Sequence, residues 1–181
     1  IHKVWGERRL WIMKELIRER GLWMAALLCL GGMAAGYPFY QIEAPLAAGS
    51  FLNFCQMALE GQALLFFVPI AAALPMGAVF VREASSGFLK LYLTRTDRME
   101  YIKRKTLQVY AGGFLPFFLA GAGMAALSFL FVYPLELQGE MDWEKLLEIA
   151  RILLRMALAG GIVAELSGIF AAVFMNYYMA Y

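Results

Sequence analysis

Residues 106–135 run for 30 positions without a charged side chain. Residues 21–42 do the same, and between residues 56 and 81 the only charge is Glu60. A helix needs about 20 mainly apolar residues, rising ~1.5 Å each, to cross the hydrocarbon core of a bilayer. Runs of this length leave few folds open, because an amphipathic helix of a soluble domain is charged along its outer face. Composition agrees. The chain is 62% hydrophobic and 17% charged, with mean hydropathy +0.63, whereas soluble domains carry about a quarter charged residues. The expectation is an all-α membrane protein built as a single transmembrane domain of 181 residues. The first residue is Ile1 and the last, Tyr181, sits in an apolar stretch, so the sequence reads as a piece of a longer chain.

Four spans are expected, at 21–42, 56–81, 107–133 and 156–175. Before them, residues 2–20 alternate Trp5, Ile12, Met13 and Leu16 with Lys3, Glu7, Lys14 and Glu15 at helical spacing. Such a helix lies in the membrane interface, or is an ordinary juxtamembrane helix. Gly32 and Gly36 form a G-x-x-x-G that permits close helix contact. Residues 43–55 read as a short external loop. Pro69 and Pro75 should bend the second span. Asp142 is placed to cap a helix starting at Trp143, within an external loop and helix at 134–155 that can run on into the fourth span.

Charge fixes the expected orientation. The N-terminal segment and residues 82–106 hold thirteen of the sixteen Lys and Arg. Cytoplasmic loops carry the excess of positive charge. The N-terminus is therefore expected inside, with 82–106 forming the cytoplasmic loop between spans two and three.

Catalytic patterns are missing. No G-x-x-x-x-G-K-[ST], H-E-x-x-H or G-x-S-x-G occurs, and each of those chemistries needs its residues at that spacing. His2 is the one histidine. Cys29 and Cys55 match no metal or disulfide pattern. Charges inside spans are costly. Glu60 and Arg155, at similar depth near the outer ends of spans two and four, either pair across the bundle or reach separately to the headgroups. Glu165 lies deeper, where an inward-facing or packing role fits it.

The segment 82–106 mixes seven cations with Phe88, Leu89, Leu91, Tyr92 and Leu93. Contact with anionic headgroups explains its charge. It explains less well the order Glu83, Ser86, Gly87, Leu91, Leu93, Arg95, Arg98, Tyr101, Lys105. That spacing resembles the ABC-2 type transporter permeases, whose second span ends in E-x-x-S-G, followed by an apolar run, an Arg-containing turn, Tyr and Lys. Residues 2–20 and Leu166 to Tyr178 also resemble that family's interfacial helix and fourth span. The likeness covers nearly the whole chain but only four of the family's usual six spans.

The resemblance implies an exporter's permease subunit in the plasma membrane. It implies that 82–106 is a coupling helix received by a separate ATPase, with Glu83, Ser86, Gly87, Phe88, Leu91, Arg95, Arg98, Tyr101 and Lys105 as coupling residues. It implies a second permease subunit as partner. ATP and Mg would be bound by the ATPase, so this chain would carry no cofactor, metal or catalysis and would bind no nucleic acid. Spans without a polar-lined path favour an amphipathic or hydrophobic substrate. Two other readings remain: a non-transporting membrane anchor or regulatory subunit, and an intramembrane enzyme using Glu60 or Glu165. The lack of any paired acid, His or Cys cluster argues against the enzyme.

Overall fold

The computed structural model describes residues 18–36, 46–76, 79–86, 98–137 and 142–175. Six α-helices follow one another there: α1 (Arg20–Ala35), α2 (Ser50–Leu59), α3 (Gln62–Ala73), α4 (Val79–Ser85), α5 (Arg98–Phe131) and α6 (Trp143–Phe174). A short 3-10 turn, Tyr133–Leu135, follows α5. The helices α3 and α5 each pack against both α1 and α6, which makes a four-membered bundle. Among the described residues the only β pairing is a single bridge from Leu46 to Glu136.

The 38-residue stretch Arg98–Leu135 and the 32-residue α6 are each long and apolar enough to cross a membrane. The pair α2 and α3 passes the same test together, but is bent by 54°. Helix α1 is apolar and shorter, at 16 residues. Residues 37–42 of the expected first span lie outside the described residues.

Three boundaries differ from the expectation. Residues 50–55 are not loop but the start of α2, whose face of Phe51, Leu52, Phe54, Cys55 and Ala58 is buried. The second span breaks at Glu60 and Gly61, not at Pro69, which sits inside α3. Gly61 adopts extended backbone (φ −60, ψ 131), and that one residue turns the chain. Pro75 fulfils its expected role, because the turn at Leu74–Met76 ends α3 there. Finally, the segment expected as a loop at 82–106 is helical at both ends: residues 82–85 belong to α4, and residues 98–106 form the first turns of α5.

Glycines set the closest approaches. Gly113 on α5 meets Gly160 on α6 so tightly that a β-carbon on Gly160 would lie 2.8 Å from the Gly113 carbonyl oxygen. Gly161 rests on the Tyr110 ring, where a β-carbon would come within 2.6 Å. Without a large side chain at these positions two helix backbones can touch, the device that small residues supply where lipid offers no hydrophobic drive. The expected Gly32/Gly36 pair works the same way. Gly32 faces Leu64 and Phe67 on α3, and Gly36 lies against Gly61 at the break. Gly21, at the other end of α1, meets Leu74 and Pro75, so α1 and α3 run antiparallel. Cys29 and Cys55 are free and buried in the core, as small apolar residues.

Candidate functional site

The base of the basic segment holds the densest polar network among the described residues. It is assembled by α4 and α5. Helix α4 seats Val81 against Ala171 of α6, which directs the next residues, Arg82 and Glu83, to the end of the bundle. Across from them, α5 presents Tyr101, Lys105 and Gln108 at i, i+4 and i+7, one face of a helix. The Tyr101 hydroxyl donates to Glu83 Oε2 at 2.7 Å, and Lys105 Nζ donates to Glu83 Oε1 at 2.5 Å. Lys105 Nζ also donates to Gln108 Oε1 at 3.0 Å.

Burial decides what this network does. The Lys105 and Glu83 side chains are 16% and 18% exposed, and Tyr101 and Gln108 are buried. A carboxylate in such a place needs its lone pairs filled, and here both oxygens are occupied. A charge-assisted bond of this kind is shorter and stronger than a neutral one. Beside it, Arg82 Nη2 reaches Glu19 Oε1 at 3.4 Å with its side chain 59% exposed. That second pair adds little, because exposed pairs are screened. It does tie the start of α1 to α4.

Of the nine coupling residues that the resemblance implies, Glu83, Tyr101 and Lys105 are brought together. Ser86 lies one turn on, its hydroxyl donating to the Glu83 carbonyl at 3.1 Å. Arg98 opens α5 and is exposed. Gly87, Phe88, Leu91 and Arg95 lie outside the described residues. Gln108 was missed by sequence reasoning. Its i+3 spacing from Lys105 was the available signal, but a Gln opening an apolar run reads as a span boundary.

The other polar residues fare differently. No ion pair joins Glu60 and Arg155 among the described residues. Both are exposed, and Glu60 instead accepts from Gln56 Nε2 at 3.4 Å. Glu165 sits one turn beyond Gly161 on α6, with Oε1 buried and unbonded. Among the described residues no group of three His, Cys, Asp or Glu could hold a metal ion.

The opposite end of the bundle is closed by Glu136. Its carboxylate accepts from the backbone N–H groups of Gly49 (3.1 Å) and Phe51, which are orphan donors at the start of α2. The bridge strengthens this: Leu46 N donates to Leu135 O at 3.1 Å and Leu137 N to Leu46 O at 2.9 Å. Phe51, Phe129 and Tyr133 pack beside it, the last two stacked at 4.8 Å. Asp142 caps α6 as expected, accepting from Glu144 N and Lys145 N.

Charge therefore divides by end. Arg18, Arg20, Arg82, Arg98, Lys103 and Arg104 accompany the Glu83 network, against Glu19 and Glu100. Glu60, Glu136, Asp142, Glu144 and Glu148 gather at the other end with Lys145, Arg151 and Arg155. No protein-family model, curated protein or solved structure matches this chain.

Proposed function

We propose that this chain is a permease subunit of an ATP-driven ABC transporter of the ABC-2 type, working as an exporter in the plasma membrane. The observation that carries the reading is the meeting of Glu83, Tyr101 and Lys105. The resemblance marked these residues before their positions in the fold were considered, and across 22 positions of sequence Tyr101 and Lys105 converge on the Glu83 carboxylate. The convergence fastens the two stems of the segment 87–97 to each other. A partner pressing on that segment would move α4 and α5 as one piece.

In this reading the N-terminus and the basic end face the cytoplasm, in line with the positive-inside rule. Four spans cross the bilayer, with α2 and α3 forming a broken second span. Two permease subunits associate through their spans, above two ATPase subunits that bind ATP and Mg. Closure of the ATPases displaces 87–97, a rigid-body coupling through a docked element. Helix α5 carries the displacement unbroken from Arg98 to Phe131. The second span yields instead, because it is interrupted at Glu60–Gly61 and again at Leu74–Met76. The chemistry of hydrolysis belongs to the partner, and the substrate is amphipathic or hydrophobic.

The test is purification of the tagged chain from its native host, with mass spectrometry of what accompanies it. A P-loop ATPase should copurify, and changing Gly87 and Arg95 should abolish ATP-driven export while the chain stays folded. If no ATPase comes down and export survives both changes, the transporter reading is wrong.

A further inference from the structure

The first three turns of α5 have two faces with opposite character. One face, Tyr101, Lys105 and Gln108, is turned inward and bonded to Glu83 or within itself. The other carries Met99, Glu100, Ile102, Lys103 and Leu107, with Arg98 at its edge, so its two cations outnumber its one acid. Here Met99 is 56% exposed, Ile102 45% and Leu107 54%, and Lys103 and Arg98 are exposed too. Ile102 and Leu107, large and apolar on a polar stretch of helix beside cations, match a surface that is oily and anionic at once. A bilayer of acidic phospholipid is such a surface: cations meet phosphate, and apolar side chains enter the acyl boundary.

Position supports the same occupant. This stretch runs without a break into the uncharged residues 106–131 of one helix, so it stands where an apolar span would leave the bilayer. The ion pairs to Glu19 and Glu83 place Arg18, Arg20 and Arg82 at this same end. Cations beside apolar side chains, at the point where a spanning helix reaches the headgroups, match that layer in both character and depth.

We propose that the outer face of α5, built on Arg98, Ile102, Lys103 and Leu107, is a binding surface for anionic phospholipid headgroups. It works separately from the inward face that holds Glu83. The proposal rests on the membrane placement given above and not on the transporter reading.

The experiment uses the full chain in bilayers of phosphatidylcholine with and without phosphatidylglycerol. A spin label is attached at Ile102→Cys, with a second protein labelled at Ile162→Cys on α6 as the membrane control. Cys29 and Cys55 are buried and stay in place. The Ile162 label should sit in the acyl region in both bilayers. The Ile102 label should sit at headgroup depth and move deeper when phosphatidylglycerol is present. Native mass spectrometry of protein extracted from the mixed bilayer should show phosphatidylglycerol retained over phosphatidylcholine. Arg98→Gln with Lys103→Gln should cut that preference about thirtyfold, the order expected for two basic residues at a charged surface. Arg151→Gln with Arg155→Gln, at the other end, should leave it unchanged. An Ile102 label that stays in water in both bilayers, or that is covered only when a partner protein is added, overturns the proposal. So does a lipid preference that survives the Arg98 and Lys103 changes. An Ile162 label exposed to water would overturn the membrane placement itself.

Discussion

The two ends of the bundle are fastened by different chemistry. At the basic end, side chains bind side chains: Lys105 and Tyr101 converge on Glu83 between two helices. At the acidic end, a side chain binds backbone: Glu136 takes the free amides at the start of α2. The first kind of fastening ties rigid helices and depends on two ionised partners. The second ties a loop to a helix start and depends on one. Energetically they differ because half-buried charges are costly when deprived of a partner, whereas an amide at a helix start can fall back on water.

The comparison can be broken by mutation, most easily at the basic end. Lys105→Met should cost about 3 kcal/mol of unfolding free energy in detergent, because it strands the Glu83 carboxylate where solvent hardly reaches. A cycle with Glu83→Gln should recover much of that loss, and an additive result would show that the two charges are not coupled. Glu136→Ala should cost about 1–2 kcal/mol, by the loss of an N-terminal cap. It should also raise hydrogen exchange at Gly49 and Phe51 while leaving Tyr101 protected. A loss at Glu136 as large as that at Lys105 would erase the distinction between the two ends. Tyr101→Phe should cost about 1.5 kcal/mol, one hydrogen bond to a charged group, with Lys105 still holding Glu83. Smallest of all, Arg82→Gln should change stability by roughly 0.5 kcal/mol or less. That small effect should vanish in high salt, and thermal unfolding at two salt concentrations reads it.

Sequence reasoning reached the parts that depend on local pattern. The apolar runs, the Asp142 cap on α6 and the close approach at Gly32 and Gly36 are all set by neighbours in the chain, and the structure contains each of them. Glu83, Tyr101 and Lys105 were marked by the resemblance, but their meeting needs α4 and α5 to pack side by side. Glu136 fell, unremarked, within the expected external loop and helix at 134–155. Its targets lie 85 and 87 residues earlier, a separation no local pattern spans. The start of α2 was missed because Asn53, Gly49 and Pro45 read as loop chemistry, while its buried face gains its value against α1, α5 and α6. Proline was given too much weight and glycine too little at the second span. Pro69 removes one donor, which a helix among helices tolerates, whereas Gly61 with extended backbone redirects the chain outright. The loop 82–106 was drawn too long because its cations read as solvent-facing, although a helix emerging from a bilayer carries cations as readily as a loop does.

Helix α5 has one more consequence, which follows from its length. Its 34 residues span about 51 Å, against a hydrocarbon core of about 30 Å. The Glu83 network sits on its first turns and the Glu136 clasp just past its last. A single rod thus works as a gauge that fixes the spacing of both fastenings, whatever the thickness of the surrounding lipid. Set in a thin bilayer, such a rod leans rather than shortens. The lean would carry α6 with it, since the Gly113–Gly160 contact leaves no slack between them. Membrane thickness thereby becomes a variable to which the attitude of the whole bundle responds.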